Sequence, residues 1–169
     1  MKKKKIVILC VYPHGGAPSQ RFRFEQQIPF LKEHFQIEQY SFWSEKTNNL
    51  LYNKGNVFKK FIGIITGLTR RVFHLFQCIS ADVIFIHREV IPLGSIIFEW
   101  ILKNILKKKL IFDFDDAIWN IDTSNENKKY EWLKSPKKTE NIIQLCTCVI
   151  AGNNYLSDYA KQFNNNVSI

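Results

Sequence analysis

The sequence predicts an α/β domain built on a doubly wound parallel sheet, with helices on both faces. Short apolar runs rich in β-branched residues recur along the chain, and such runs are typical of strands that are buried on both sides. Longer segments with helical periodicity separate them, so strand and helix alternate. Because connections between parallel strands are almost always right-handed, repeated βαβ units assemble into one parallel sheet.

The N-terminal unit is predicted to be a strand, a kinked helix and a second strand. Residues 5–12 (KIVILCVY) are too few for a helix and end at turn-forming residues. A helix is expected from Ser19, the predicted N-cap, with a break or kink at Pro29. Residues 36–42 alternate apolar and polar side chains, which indicates the second strand.

The middle of the chain carries the longest predicted helix. Residues 44–56 are polar and are predicted to form a loop. Residues 57–79 are apolar on most faces, so we expect a helix that the rest of the protein largely covers. A third strand is predicted at 82–87 and a further helix at 93–106.

The C-terminal third continues the alternation. The predicted elements are a fourth strand at 109–114, a polar loop at 120–127, a basic amphipathic helix at 128–145, a fifth strand at 147–151, a helix at 153–164 and the start of a sixth strand in the final Val-Ser-Ile. The cysteines lie in or beside apolar runs without zinc-binding spacing, so they are expected to be core thiols in a reducing cytoplasm: Cys10, Cys78, Cys146 and Cys148.

Composition and charge narrow the class of protein. A length of 169 residues fits one domain, residues 1–169. The formal net charge of +9 is spread over short basic clusters, which favours phosphate-bearing ligands, acidic lipids or nucleic acid. Nucleic acid is disfavoured, because the aromatic residues lie in apolar runs and not in a basic stripe. The apolar windows 61–69 and 91–106 fall short of the roughly 20 residues that span a membrane.

Polar or glycine-bearing segments follow four of the predicted strands: YPHGGAPSQRFR, HREVIPLG, DFDDAIW and AGNN. In doubly wound sheets, ligands bind beyond the carboxyl ends of the strands, near the point where the strand order reverses. The four segments therefore predict one site. They bring His87 and Arg88 to it from the third strand and Asn153 from the fifth.

The first of these segments has features of an anion-binding turn. Gly15 and Gly16 allow close approach of the backbone to a ligand, and a helix N-terminus follows them. Arg21 and Arg23 lie near the start of that helix, where a cation opposes the helix dipole unless it meets an anion or carboxylate. The alternative is a tight turn with two surface arginines. The loop does not match G-x-G-x-x-G, which argues against a dinucleotide site.

The segment DFDDAIW admits three interpretations. Asp113 and Asp115 form a D-x-D pattern, which in one class of nucleotide-sugar enzymes holds a divalent cation on the diphosphate. Alternatively, the acids, with Asp116, cap the following segment and pair with basic residues at neighbouring strand ends. In the third interpretation, one carboxylate faces the cleft, oriented by an arginine, and binds a substrate hydroxyl or acts as a base.

The segments GGAPSQRFRFEQ, ADVIFIHREVIPLG, KKLIFDFDDAIW and CVIAGNNYLSDYAKQF, in this order, resemble the N-terminal, acceptor-side domain of GT-B glycosyltransferases of the family 4 type. The resemblance runs from about residue 5 to the end of the chain. It implies transfer of a sugar, with retention of configuration, from a nucleotide-diphosphate donor to a glycan or lipid-linked acceptor in bacterial surface polysaccharide or glycoconjugate synthesis. The donor is a co-substrate, and no cofactor or metal is expected.

The resemblance also implies roles for individual residues and the need for a second, nucleotide-sugar-binding domain. Members often carry a histidine where this sequence has its three aspartates, which is a departure from the family pattern. The nucleotide-sugar pocket of the family belongs to a C-terminal domain that is absent here, so this chain alone is not expected to turn over. The implied site comprises Asp115 and Asp116 as catalytic residues and Gly15, Gly16, Arg21, Arg23, His87, Arg88, Asp113 and Asn153 as substrate-binding residues.

Peripheral attachment to an anionic membrane is a further expectation. Family members of this kind often dock at the inner face of the plasma membrane through basic, aromatic helices, and residues 57–76 are the candidate segment. The alternative is a core-facing helix with charged ends. At the level of the whole chain, the competing hypothesis is a non-catalytic α/β binding module, or a truncated remnant that needs a partner chain to bind the donor.

Overall fold

The described part of the computed structural model, residues 3–51, 55–120, 135 and 137–169, contains one sheet of six parallel strands. Their order is β2-β1-β3-β4-β5-β6. The predicted Rossmann-like, doubly wound α/β fold is therefore confirmed, including the strand at the C-terminus, which pairs with its neighbour. The strands are β1 (Lys5–Cys10), β2 (Gln36–Ser41), β3 (Val83–His87), β4 (Lys109–Phe114), β5 (Cys148–Ala151) and β6 (Val167–Ser168).

The helices divide between the two faces of the sheet as the strand order requires. The crossover from β1 to β2 runs toward one edge and the later crossovers run toward the other, so right-handed connections place the two groups of helices on opposite faces. The order reverses between β1 and β3. The helices are α1 (Pro18–Arg23), α2 (Ile28–Leu31), α3 (Glu45–Leu51), α4 (Val57–Ile79), α5 (Ile97–Trp100), α6 (Lys138–Leu145) and α7 (Asn154–Lys161).

Side-chain alternation along the strands separates a large core from a small one. Leu9, Ile86 and Phe112 belong to the large cluster, which includes residues of α4, α5, α6 and α7. Ile8 and Cys10 project to the other face and pack against Phe24, which follows α1. Because successive side chains in a strand point to opposite faces, residues at the ends of β3 and β4 also reach the α1 side.

The predicted break in the N-terminal helix is confirmed, with a shift in its bounds. α1 begins at Pro18, and its N-cap is Ala17, which makes no side-chain cap, so the predicted N-cap Ser19 is wrong. A short 3₁₀ turn, Glu25–Gln27, separates α1 from α2. Proline fits the first turn of a helix and not its interior. The chain accordingly starts a new helix just before Pro29.

The predicted loop at 44–56 is wrong over its first half, where α3 lies. The Ser44 hydroxyl accepts a hydrogen bond from the Thr47 amide at 3.1 Å, and the Asn48 amide donates to the Ser44 carbonyl at 2.8 Å. This is an N-cap interaction, which satisfies a backbone donor at the helix start. The segment was predicted to be a loop because most of its residues are polar, and polar composition does not distinguish a short helix from a loop.

The expectation that the helix at 57–79 is largely covered is also wrong, although its bounds are confirmed. Gly63, Gly67 and Cys78 are buried against the rest of the protein. The opposite side is solvent-exposed along its length, and Phe58 is 74% accessible. We call this side the α4 apolar face; its residues are Val57, Phe58, Phe61, Ile62, Ile65, Val72, Phe73, Phe76 and Ile79.

Arg71 does not belong with the surface charges of this helix. It is 1% accessible, and its guanidinium donates to the backbone carbonyls of Cys10, Tyr40 and Val90. These carbonyls lie at or just after the carboxyl ends of β1, β2 and β3. Arg71 therefore ties α4 to the ends of three strands.

The C-terminal elements agree with the predicted alternation where they are described. α5 starts later than predicted, at Ile97, and continues as a π-helical turn over Ile101–Ile105. The predicted loop at 120–127, except for its first residue, and most of the first part of the predicted helix at 128–145 lie outside the described residues. Within the described residues, no helix has the length and apolarity needed to cross a membrane. The cysteines are free thiols, buried at Cys10, Cys78 and Cys146 and partly buried at Cys148, as predicted.

Candidate functional site

A cluster of polar and charged side chains lies at the carboxyl ends of β3 and β4, next to the reversal of strand order between β1 and β3. Asp113, the fifth residue of β4, is paired in register with His87, the last residue of β3, and both are 2% accessible. His87 Nδ1 lies 2.8 Å from Asp113 Oδ2. Arg23, at the end of α1, donates from Nε to Asp113 Oδ1 at 3.1 Å and also from its terminal nitrogen. The hydrogen bond to Asp113 raises the pKa of Arg23.

This cluster unites residues that the sequence placed in three separate segments. The prediction that Arg21 and Arg23 lie near the start of the helix is wrong, because both lie in the last turn of α1. A cation is favourable at that end of the helix dipole, and Arg23 in addition meets a buried carboxylate. The ring of His87 also packs edge-on against Phe24, with centroids 5.4 Å apart. Its second nitrogen, Nε2, is buried and has no hydrogen-bond partner among the described residues. Because His87 and Asp113 are buried, this pair does not itself face solvent, and the cluster connects the ends of α1, β3 and β4.

A second ion pair lies nearer the surface. Arg88 adopts the left-handed backbone conformation, with φ of 63°, while its amide donates to the Asp113 carbonyl at 2.8 Å. Its Nε donates to Asp115 Oδ1 at 2.9 Å, and both side chains are about a quarter accessible. A non-glycine residue in this conformation carries backbone strain, which persists where the surroundings enforce it and is frequent at functional sites. The bend aims Arg88 at Asp115.

The remaining predicted residues of β4 and β5 lie beside this pair. Asp116 is exposed, and its Oδ1 accepts the Ala117 amide at 2.8 Å. Gly152 packs so tightly against Asp115 that an added Cβ would lie 2.9 Å from the Asp115 Cα. Asn153 caps α7 by accepting the Leu156 amide at 2.9 Å. Its side-chain oxygen therefore stabilises the start of α7, a role that the sequence analysis, which assigned Asn153 to substrate binding, did not predict.

The glycine turn after β1 is organised around a carboxylate. Glu25, at the start of the 3₁₀ turn, is 5% accessible, and its Oε2 accepts the Gly15 amide at 3.0 Å. Its Oε1 accepts the carboxamide groups of Gln20 at 2.6 Å and Gln39 at 2.9 Å. Burial by itself would raise the pKa of Glu25, but these hydrogen bonds outweigh it and the pKa is lowered.

This arrangement leaves the turn poorly suited to an anion. Gly15 donates to Glu25, and the Gly16 amide donates to the Pro13 carbonyl at 2.8 Å, so both amides are used internally. Gly15 has φ of 70°, which favours glycine. Arg21, the other cation predicted near this turn, is exposed, and its guanidinium lies 5.1 Å from the centre of the Phe22 ring.

The sequence analysis did not predict several buried polar and charged side chains that stabilise the segments at the carboxyl ends of the strands. Gln20 and Glu25 lie in a segment that was expected to present an apolar face, and a polar residue among such positions is the signal that could have revealed them. Lys138 was assigned to a basic amphipathic helix, yet its amine donates to Glu89 and to the carbonyls of Ile91 and Leu93. It thereby ties α6 to the segment after β3.

A metal centre has no support in the described residues. No group of three or more histidine, cysteine, aspartate or glutamate side chains there is arranged to hold a metal ion. Asp113 and Asp115, which form the D-x-D pattern, each face a separate arginine. The charge of each carboxylate is therefore balanced within the protein.

Comparison with known proteins adds no assignment. No protein-family model matches the chain, and no curated protein is significantly similar to it. The function must therefore be argued from the site itself.

Proposed function

We propose that the chain is the acceptor-side domain of a glycosyltransferase, which acts on a nucleotide-diphosphate sugar and a glycan or lipid-linked acceptor. The observation that carries the proposal is the arrangement at the carboxyl edge of the sheet. Two carboxylates, the partly exposed Asp115 and the exposed Asp116, follow β4 and lie beside Asp113, one strand away from the reversal between β1 and β3. Doubly wound sheets bind ligands beyond the carboxyl ends of the strands, near such a reversal. The resemblance of the four strand-end segments to GT-B acceptor domains supports the same proposal.

In this proposal the residues have distinct tasks. His87 and Asp113 are buried and Arg23 is partly buried, and their contacts hold the ends of α1, β3 and β4 together, so they act as positioning residues. Asp115, oriented by Arg88, has lone pairs left to accept hydrogen bonds from sugar hydroxyls. Asp116 keeps one carboxylate oxygen beyond its contact with Ala117. Donor binding and completion of the reaction require a nucleotide-sugar site outside the elements described here.

The proposed acceptor is associated with an anionic membrane, and the α4 apolar face is the docking surface. An apolar stripe along the whole of a helix with basic residues at its margin is typical of helices that lie in the membrane interface. Lys59 and Arg70 lie three helical turns apart, on one margin of the stripe, and α4 contains no acidic residue. Charge complementarity therefore favours acidic lipids.

The transferase proposal is tested by measuring nucleotide-sugar turnover by the protein that the full open reading frame containing this chain encodes. Asp115→Asn and Asp116→Asn are compared with Asp158→Asn, an exposed aspartate of α7 whose carboxylate lies 3.7 Å from Lys161. We expect Asp115→Asn or Asp116→Asn to reduce turnover by roughly 100-fold, within the usual range for a group that acts directly in catalysis. Asp158→Asn should remain fully active. Full activity of both site variants would reject the proposed role of the carboxylates.

The second candidate is a binding module without catalytic activity. The observation that favours it is the internal use of the Gly15 and Gly16 amides, which leaves no backbone anion site at the first turn for a donor phosphate. This candidate predicts saccharide binding without nucleotide-sugar turnover by any form of the protein. The turnover experiment separates the two candidates.

A further inference from the structure

A polar cavity of about 420 Å³ opens at the carboxyl ends of β1 and β2. Its volume lies within the range of roughly 300–1,000 Å³ that is usual for small-molecule sites. Three separate elements build it, namely the turn after β1, the end of β2 and the start of α3. Its lining residues are Pro13, His14, Gln39, Ser41, Ser44 and Glu45.

His14 lines this cavity and contacts a buried carboxylate. Its Nδ1 lies 3.3 Å from Glu25 Oε1 and 3.4 Å from Gln39 Oε1. The side chain of His14 is 75% accessible, whereas that of Glu25 is 3% accessible. The carboxylate thus holds Nδ1, whereas Nε2 has no hydrogen-bond partner among the described residues and can bind a ligand.

The lining chemistry selects an uncharged ligand. The cavity presents an imidazole, a carboxamide, two hydroxyls and a carboxylate, and its lining contains neither lysine nor arginine. Glu45 and the nearby Glu25 would repel a phosphate. Ser41 donates to the Trp43 carbonyl at 2.9 Å, and its oxygen can still accept a hydrogen bond. The cavity therefore offers both hydrogen-bond donors and acceptors, and a sugar hydroxyl can pair with either.

We infer that this cavity binds an uncharged saccharide through His14, which Glu25 and Gln39 hold in place. The role of that saccharide as the acceptor rests on the proposed function. Binding itself needs no donor. The site and Asp115 both lie at the carboxyl ends of the strands, but the site belongs to β1 and β2, which β3 separates from β4.

The test is an NMR titration of the 169-residue chain with glucose, galactose, mannose and N-acetylglucosamine, without any nucleotide, following the His14 imidazole resonances. Glucose 1-phosphate and glucuronic acid are the charged counterparts. We expect at least one uncharged sugar to shift the His14 signals saturably and the charged counterparts to bind more weakly. If no uncharged sugar shifts the His14 signals, or if a charged counterpart binds more tightly, the inference is wrong.

Two histidine variants make the test specific. Binding by the variants is measured by isothermal titration calorimetry, because His14→Gln has no His14 signal to follow. His14→Gln should weaken binding by roughly fivefold to tenfold, as expected for the loss of one hydrogen bond. His34→Gln alters an exposed histidine that precedes the start of β2, at the other end of the strand, and should bind like the unaltered chain. Equal binding by both variants would overturn the assignment. Because no donor is present, saccharide binding that survives a failed turnover experiment would reject the transferase proposal alone.

Discussion

Glu25 accepts three hydrogen bonds in a nearly buried position, and this makes it a sensitive residue. In Glu25→Gln, the new side-chain NH₂ group replaces one carboxylate oxygen. It must then face hydrogen-bond donors, either the Gly15 amide or the carboxamides of Gln20 and Gln39. We expect a loss of about 2 kcal/mol in the free energy of unfolding, the usual cost of mispairing a buried charged acceptor. Urea denaturation at neutral pH measures it, and unchanged stability would contradict the hydrogen-bond assignment.

The same residue predicts a pH dependence. The pKa of Glu25 is lower in the folded chain than its ordinary value, so ionised Glu25 stabilises the fold above the unfolded pKa. That contribution is lost as the pH falls from the ordinary glutamate range through the folded pKa. Denaturation curves across this acidic range should show a smaller decline in Glu25→Gln than in the unaltered chain. Parallel declines would mean that other groups account for the acid sensitivity.

Asp113 and Asp115 provide a matched pair of substitutions at the residue scale. Asp113→Asn leaves Arg23 and His87 facing an amide in a buried site, and breaking such a pair costs about 3 kcal/mol or more. Asp115→Asn affects a pair whose side chains are partly solvated, so the expected loss is at most about 1 kcal/mol. Thermal or urea unfolding of both variants measures the difference. Similar losses would contradict the assignment of Asp113 as the buried positioning residue.

At the scale of elements, the close packing of α4 depends on its glycines. A Cβ at Gly67 would lie 2.5 Å from a ring carbon of Phe42, which is 1% accessible. Gly67→Ala gains about 1 kcal/mol of helix propensity but forces the ring or the helix to move, at a cost of up to about 3 kcal/mol. We expect a net loss of roughly 1–2 kcal/mol on urea unfolding.

The control for this substitution lies on the exposed side of the same helix. Thr69→Ala removes a hydroxyl that donates to the Ile65 carbonyl at 3.0 Å, without touching the core. It should be neutral or slightly stabilising because alanine favours the helix. If both variants were equally stable, α4 would not pack on Phe42 as described.

The elements also show what the sequence could predict and why. The bounds of β4 are those predicted, because a run of buried residues has a sharp polar boundary on each side. α3 was missed because its seven residues are mostly polar and its start depends on the Ser44 cap. Periodicity located α4, but it could not decide which side of a helix with apolar residues all round faces the sheet.

The sequence predicted which segments meet at the candidate site, but it did not predict which side chains pair with each other there. Sheet topology brings strand ends together, so His87, Arg88 and Asp113 were grouped correctly at one edge. The partners depend on side-chain geometry, and no spacing rule links Arg23 with Asp113, 90 residues apart in the chain. The role of Glu25 was not predicted, because it lies in the helical segment after the glycine turn and not in the turn whose Gly15 amide it accepts.

At the scale of the whole molecule, the sheet has a large apolar core on one side, and the helix that covers part of it exposes further apolar residues outward. The α4 apolar face contains aromatic residues near both ends of the helix, among them Phe58 and Phe76. The proposed membrane docking requires an exposed contiguous apolar surface of this kind. Net positive charge across the chain favours an acidic lipid surface as its partner.

The final prediction tests this docking directly. The chain should sediment with vesicles of phosphatidylcholine and phosphatidylglycerol, and less with phosphatidylcholine alone, because the basic margin adds electrostatic attraction. Phe73→Ser combined with Phe76→Ser should lower partitioning by roughly 100-fold or more, since burial of each ring contributes about 1.5–3 kcal/mol and about 1.4 kcal/mol corresponds to a tenfold change. The matched control is Phe30→Ser, an exposed phenylalanine of α2, which packs on the other face of the sheet. If this control loses as much binding as the double variant, or if partitioning is independent of acidic lipid, α4 is not the docking surface.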